Sequence, residues 1–186
     1  MNHTARTAIK RLVIAAAALW AGIGTACAQE PIRLGLAMPL SGQNGDYIKR
    51  YVLAGHELAI KEQNDKGGIL GRPIKLFIED SRNDGASAVS ALNKLINVDK
   101  IIAVFSIFTP VVLPMLPIAE EKKVMVFAPS VEHPDLTKSR WAVRMTPTAT
   151  TNGLLIAQQA NKMGLKTAAT FAEDNEAIRV SVKAFV

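Results

Sequence analysis

Apolar positions along the chain switch repeatedly between a period of two and a period of three to four. Ile32-Arg33-Leu34-Gly35-Leu36-Ala37-Met38 is short, rich in branched residues and stopped by Pro39, the pattern of a strand. From about Ile48 the spacing becomes helical, with Tyr51, Ala54, Gly55, Leu58 and Ala59 on one face. Lys66-Gly67-Gly68 closes that helix, because glycine reaches the left-handed C-terminal conformation at little cost. Residues 74–78 predict a second strand. Asp84 is placed to cap a second helix with the stripe Ala88 (or Val89), Leu92, Leu95 and Ile96. Residues 101–105 are an unbroken apolar run, as expected of a parallel strand covered on both faces. Thr109-Pro110 predicts the start of a third helix, with threonine as N-cap and proline in the first helical position. Pro114 and Pro117 should distort it, since each removes a backbone donor, and Lys122-Lys123 ends it. Residues 124–128 and 141–145 read as strands, 152–163 as a helix stopped by Gly164, 166–171 as a strand, and Asp174 onward as a helix.

This alternation predicts a doubly wound α/β fold with a mostly parallel sheet. Ligands in such sheets bind beyond the carboxyl ends of the strands. The informative loops are therefore 39–47, 79–84, 106–110 and 129–134, where Ser41, Ser81, Ser106, Thr109 and Ser130 supply small polar side chains. Thr109 has two readings: its hydroxyl, with free N–H groups behind it, suits a carboxylate, or it caps its own helix. Tyr47 either closes over an apolar or aromatic part of a ligand or caps the core. Glu132 either receives an ammonium or hydroxyl or is solvated.

Residues 1–28 have the three parts of a secretory signal peptide: Arg6, Lys10 and Arg11, an apolar stretch over 12–24, and Ala26-Cys27-Ala28 as cleavage site. The apolar stretch is shorter than the ~20 residues of a membrane-spanning helix. Cleavage would leave a mature chain starting at Gln29 in the periplasm, without cysteine. Lipidation at Cys27 is the second reading, against which Gly24-Thr25-Ala26 is a poor match to the usual leucine-led motif. Of 186 residues, 22 are Lys or Arg and 16 are Asp or Glu. Without Arg6, Lys10 and Arg11 the balance is 19 against 16, with no basic run, which argues against a nucleic-acid partner.

Catalytic patterns are missing. There is no G-x-S-x-G elbow and no phosphate loop, and Gly67-Gly68-Ile69-Leu70-Gly71 follows a helix rather than a strand. His56 beside a helical stripe reads as structural, and His133 in a ligand-side loop has no second histidine near it for a metal pair. Glu79, Asp80 and Asp84 read better as a cap and loop solvation than as a magnesium site. The pattern is that of a binding protein rather than an enzyme, with no cofactor and no metal.

Ile32-Arg33-Leu34-Gly35 leading into Pro39-Leu40-Ser41-Gly42 resembles the opening of periplasmic binding proteins of the leucine/isoleucine/valine-binding family, of type I fold. The stretch from Gly55 to Gly71 is similar to that family's first helix and glycine turn, and Ile78-Glu79-Asp80 to the acidic end of its second strand. Pro134-Asp135-Leu136-Thr137 and Arg144-Met145-Thr146-Pro147 resemble its approach to the first crossing between lobes. The resemblance implies a solute receptor for an ABC importer permease, with two lobes closing on an amino acid or related carboxylate. It implies a first lobe over 29–147 and an incomplete second lobe over 148–186, since family members are roughly twice this size. It also implies a ligand carboxylate held by Ser/Thr side chains and backbone N–H groups, which fall at Thr109 and Ser130, with Glu132 two residues on and Tyr47 as the covering aromatic. Two positions depart from the family. Phe105-Ser106 replaces the usual glycine, and Glu132 stands where a hydroxyl residue is common, so aromatic acids or amides are as compatible as branched-chain amino acids. A chain of this length is expected to bind weakly or not at all by itself, one lobe offering one wall. Leu154, Leu155, Ile156, Phe171, Ile178 and Val182 are not all expected to be buried. A ligand-sensing domain of a receptor is the alternative function, and a small α/β hydrolase a more distant one.

Overall fold

The computed structural model describes residues 29–42, 44–172 and 175–186. The signal-peptide reading of 1–28 lies outside the described residues. Five parallel strands, β1 (Ile32–Met38), β2 (Ile74–Asp80), β3 (Ala103–Ser106), β4 (Met125–Ala128) and β5 (Ala142–Arg144), form one sheet in the order β2-β1-β3-β4-β5. The doubly wound, parallel class expected from the alternation is thus observed, and the order puts the switch point between β1 and β3.

Side-chain alternation in β1 sets both faces. Ala37 points into the larger core, and Leu36 and Met38 into the smaller one. The larger core is built by α2 (Gly85–Asn97) and α3 (Thr109–Lys122), through Leu92, Leu95, Val111, Val112 and Met115 against Val104 and Val126. On the other face Leu36, Met38, Ile48 and Ile107 cluster under the first helical segment. Asp84 caps α2 as predicted, its Oδ2 accepting the Ser87 N–H at 2.8 Å.

The first helical segment differs from its predicted register. A turn at Gly45–Tyr47 runs into a π-helical stretch, Ile48–Leu53, before α1 (Ala54–Asp65). Tyr51, Ala54, Gly55, Leu58 and Ala59 are exposed, whereas Ile48, Val52, His56 and Ile60 face inward. A wider π turn rotates each following side chain relative to the 3.6-residue pattern. His56 is structural: its Nδ1 lies 2.7 Å from the Val52 carbonyl and its ring meets Phe105 edge-on. The turn after α1 uses positive φ at Gly67 and Gly68, and a Cβ at Gly68 would fall 2.0 Å from the Arg72 carbonyl oxygen.

Two further expectations, the Thr109 cap and the strand at 166–171, are corrected. Thr109 is the first residue of α3 rather than its cap. The cap position belongs to Phe108, held at φ 68°, ψ 134°, with no side-chain cap bond, and Pro110 occupies the second helical position. Pro114 and Pro117 sit inside α3, which continues to Lys122. Pro114 and Pro117 are exposed, and each leaves the carbonyl four residues back, that of Pro110 and of Leu113, without its helical N–H donor. Residues 166–171 form no strand; they are exposed coil without a neighbouring strand edge. Instead α4 (Ala149–Lys162) packs directly on α5 (Glu176–Phe185). Gly153 makes this crossing possible, since a Cβ there would lie 2.1 Å from the Ser181 carbonyl oxygen and 2.9 Å from the Ala184 Cβ. Leu154, Leu155, Ile156 and Phe171 are exposed, as expected, while Ile178 and Val182 are half-buried.

Candidate functional site

The loops at the carboxyl ends of β1 to β4 converge on a cavity of about 680 Å³. Asn44 comes from the loop after β1, Asn83 from that after β2, Phe108 and Thr109 from that after β3, and Ser130 and Glu132 from that after β4. Asn175 to Ile178, at the start of α5, also line it. The lining thus draws on residues 44–132 and on residues 175–178.

Of the seven loop residues singled out from the sequence, Thr109, Ser130 and Glu132 line this cavity. Ser41, Tyr47 and the buried Ser81 and Ser106 do not. Ser41 is exposed and its hydroxyl bonds the Asp80 carboxylate. Tyr47 is 60% exposed and pairs with Tyr51 at 5.2 Å between ring centroids. Phe108, in the cap position, makes no side-chain cap bond to the helix. The amides of Val111 and Val112 turn back to the Phe108 carbonyl, at 3.1 and 3.0 Å, and Pro110 has none. The N–H and hydroxyl of Thr109 are thus the donors this turn can offer an anion.

Glu132 is held on two sides. Its Oε2 accepts from Asn152 Nδ2 at 3.2 Å, and its carbonyl accepts the Ala149 N–H at 3.0 Å. His133 is buried beside it, with Nδ1 accepting the Asp135 N–H at 3.2 Å and Nε2 3.3 Å from Glu176 Oε1. Asp80 ties the first two loops together, its Oδ1 accepting the N–H of Leu40 and of Arg82, each at 2.9 Å. Burial pushes the Asp80 carboxyl up, but the Ser41 hydroxyl and the amides of Arg82, Leu40 and Ser41 outweigh it and hold it below the ordinary carboxylate value.

Sequence reasoning missed Asn44, Asn83, Phe108, Asn175 and Glu176 as wall residues. Asn44 and Asn83 lie in loops the alternation had marked; Asn175 and Glu176 reach the site only through the packing of α5. The lining combines carboxamides, hydroxyls and two carboxylates with Phe108, Leu113 and Ile178, and among the described residues no lysine or arginine contributes to it. Among the described residues, no three His, Cys, Asp or Glu side chains are grouped to hold a metal ion. Among the same residues, no helix is long and apolar enough to cross a membrane.

Such an arrangement, ligand-side loops of a doubly wound parallel sheet around a partly apolar cavity, lies where sheets of this class receive small ligands. The chain belongs to the periplasmic binding protein family, whose model matches residues 31–186. It is similar to a Leu/Ile/Val-binding protein of Rhizobium johnstonii, 33% identical over 114 residues, 60% of this chain and 30% of that one. It is also similar to a Leu/Ile/Val-binding protein homolog of Brucella abortus, 32% identical over 127 residues, 67% of this chain and 33% of the relative. The matched segments thus span about a third of these relatives' length. Among solved structures, the fold matches the substrate-binding protein LivJ of Streptococcus pneumoniae in complex with isoleucine, at TM-score 0.65 and 24% identity, covering 71% of this chain and 38% of that one. It matches equally a solute-binding protein of an ABC transporter from Rhodopseudomonas palustris in complex with 3,4-dihydroxybenzoic acid, at TM-score 0.69 and 21% identity, covering 84% and 44%.

Proposed function

We propose that this chain is the ligand-binding part of an extracytoplasmic solute-binding protein. It would be exported by residues 1–28 and would hand an amino acid or related small carboxylate to the permease of an ABC importer. In this reading residues 29–147 form the first lobe, residues 148–186 belong to the second, and the protein is not an enzyme. The observation that carries the reading is the cavity itself, which brings Thr109, Ser130 and Glu132 to the carboxyl ends of the strands of a family member. The names of the curated relatives, and the isoleucine and dihydroxybenzoate complexes of the two matching folds, support the ligand class.

The chemistry orients the ligand. An anionic end is stabilised by the hydroxyl and N–H of Thr109 and the hydroxyl of Ser130, at a helix start that favours negative charge. Glu132 repels that end and attracts an ammonium, amide or hydroxyl, so the ligand lies with its donor end toward Glu132. Calorimetry with isoleucine and with 4-hydroxybenzoate tests the reading. At least one should bind, and Thr109→Val should weaken it roughly fivefold to a hundredfold, the cost of leaving a buried polar partner unpaired. No heat from either probe, or equal affinity in the variant, contradicts the proposal.

A further inference from the structure

Arg144 is a half-buried cation at the end of β5. It ends β5 in register with Ala128, the last residue of β4, so it stands beside the 129–133 loop. Its Nη1–H donates to the Val131 carbonyl at 2.5 Å and its Nη2–H to the His133 carbonyl at 2.6 Å. Carbonyls two residues apart in an extended stretch point the same way, so one planar guanidinium fork can hold both. The carbonyl between them, that of Glu132, takes the Ala149 N–H. Asn152, also on α4, donates to the Glu132 carboxylate. The loop is therefore gripped from β5 on one side and from the start of α4 on the other. Arg144 Nε is buried with no hydrogen-bond partner among the described residues. Burial lowers the guanidinium's pKa, which the Glu132 carboxylate opposes, and arginine stays charged. A half-buried cation with an unpaired donor is a costly way to fill space. An apolar side chain would serve packing better, so the two carbonyl bonds are what this arginine adds.

We infer that Arg144 is the positioning residue of the ligand loop: its grip on the Val131 and His133 carbonyls fixes Ser130 and Glu132 at the cavity wall and ties them to the crossing into α4. The inference rests on the cavity being the ligand site. Its local consequence is that Glu132 cannot shift without straining the Ala149 bond. A ligand held by Ser130 and Glu132 is thereby held against the segment that leads out of the first lobe.

The test uses the full chain with Arg144→Met, which keeps the stem, and Arg144→Lys, which can reach one carbonyl. Amide hydrogen exchange reads the grip. In Arg144→Met the Ala149 amide should exchange roughly tenfold faster or more, the loss of about one charge-assisted hydrogen bond. Leu95 and Val104, in the larger core, should change less, and Arg144→Lys should lie between. A uniform rise at all three amides would make Arg144 a general stabiliser and overturn the inference. Should Arg144→Met not fold, Arg144→Lys carries the same comparison. Calorimetry with isoleucine and 4-hydroxybenzoate reads the consequence, with affinity falling by a similar factor in Arg144→Met and partly recovering in Arg144→Lys. Wild-type binding with unchanged affinity in Arg144→Met refutes the positioning role and leaves the cavity reading intact. Binding of neither probe by the wild type removes the cavity reading, and the inference falls with it.

Discussion

Phe108 holds a backbone conformation that a side chain makes expensive, and that cost can be measured. It sits at φ 68°, ψ 134°, whereas Lys123, at φ 56°, ψ 41°, lies in the ordinary left-handed basin. A residue with a Cβ in such a sparsely populated region costs about 1–3 kcal/mol. Phe108→Ala and Phe108→Gly remove the same contacts, those of a half-buried ring packed against both cores and lining the cavity. They differ in the Cβ. Glycine is ordinarily less favourable than alanine by about 0.5–1 kcal/mol, because it has more freedom to lose on folding. Here relief of the strain exceeds that penalty, and Phe108→Gly should be the more stable of the two by about 0.5–2 kcal/mol. At ~2–4 °C per kcal/mol for a domain of this size, the melting temperatures should differ by about 1–8 °C. Urea unfolding followed by circular dichroism gives the comparison directly, provided the two slopes agree. The same pair at Phe105, inside β3, serves as control and should show the ordinary order. Phe108→Ala more stable than Phe108→Gly by the ordinary margin would refute the strain argument.

Three other perturbations follow from the geometry. Gly153→Ala forces a methyl into the Ser181 carbonyl and should cost about 1–3 kcal/mol by prising α4 from α5; limited proteolysis should cut within 163–186 while the sheet stays protected. Asp80→Asn should destabilise the fold by about 1–2 kcal/mol near neutral pH, as the amides of Leu40 and Arg82 lose a charged acceptor. Because the Asp80 carboxyl is held below its ordinary value in the folded state, its contribution is complete above about pH 4 and lost as pH falls further. Melts from pH 7 to pH 2 should accordingly show the gap between wild type and Asp80→Asn closing only at the acid end. Glu132→Gln should weaken isoleucine, by removing the acceptor for its ammonium, and should leave 4-hydroxybenzoate unchanged or tighter; calorimetry with both probes decides.

The five strands and the doubly wound fold class were legible because each strand is a short apolar run stopped by proline, glycine or a polar loop, and each core helix repeats its apolar residues on one face. The loops that line the cavity were legible for the same reason, since a doubly wound sheet puts its ligand at the carboxyl ends of its strands. Thr109, Ser130 and Glu132 followed from that rule. Other features depend on conformations that residue types do not announce. The π-helical stretch at Ile48–Leu53 turned the Tyr51–Leu58 stripe outward. The left-handed Phe108 took the cap position from Thr109. Residues 166–171 read as a strand between two helices, but a strand also needs an edge to pair with, and here the flanking helices pack on each other. Asn175 and Glu176 join the site by long-range packing of α5, which periodicity does not encode. The role of Arg144 was hidden as well, because its partners are main-chain carbonyls.

The claim that the cavity at the carboxyl ends of β1 to β4 is the ligand site is tested most directly by mapping backbone amide chemical shifts as isoleucine or 4-hydroxybenzoate is added to the chain. The account predicts saturable shifts concentrated at Asn83, Thr109, Ser130 and Glu132, with a second group at Asn175 to Ile178. Saturable shifts confined to another surface, or none with either probe, would contradict it.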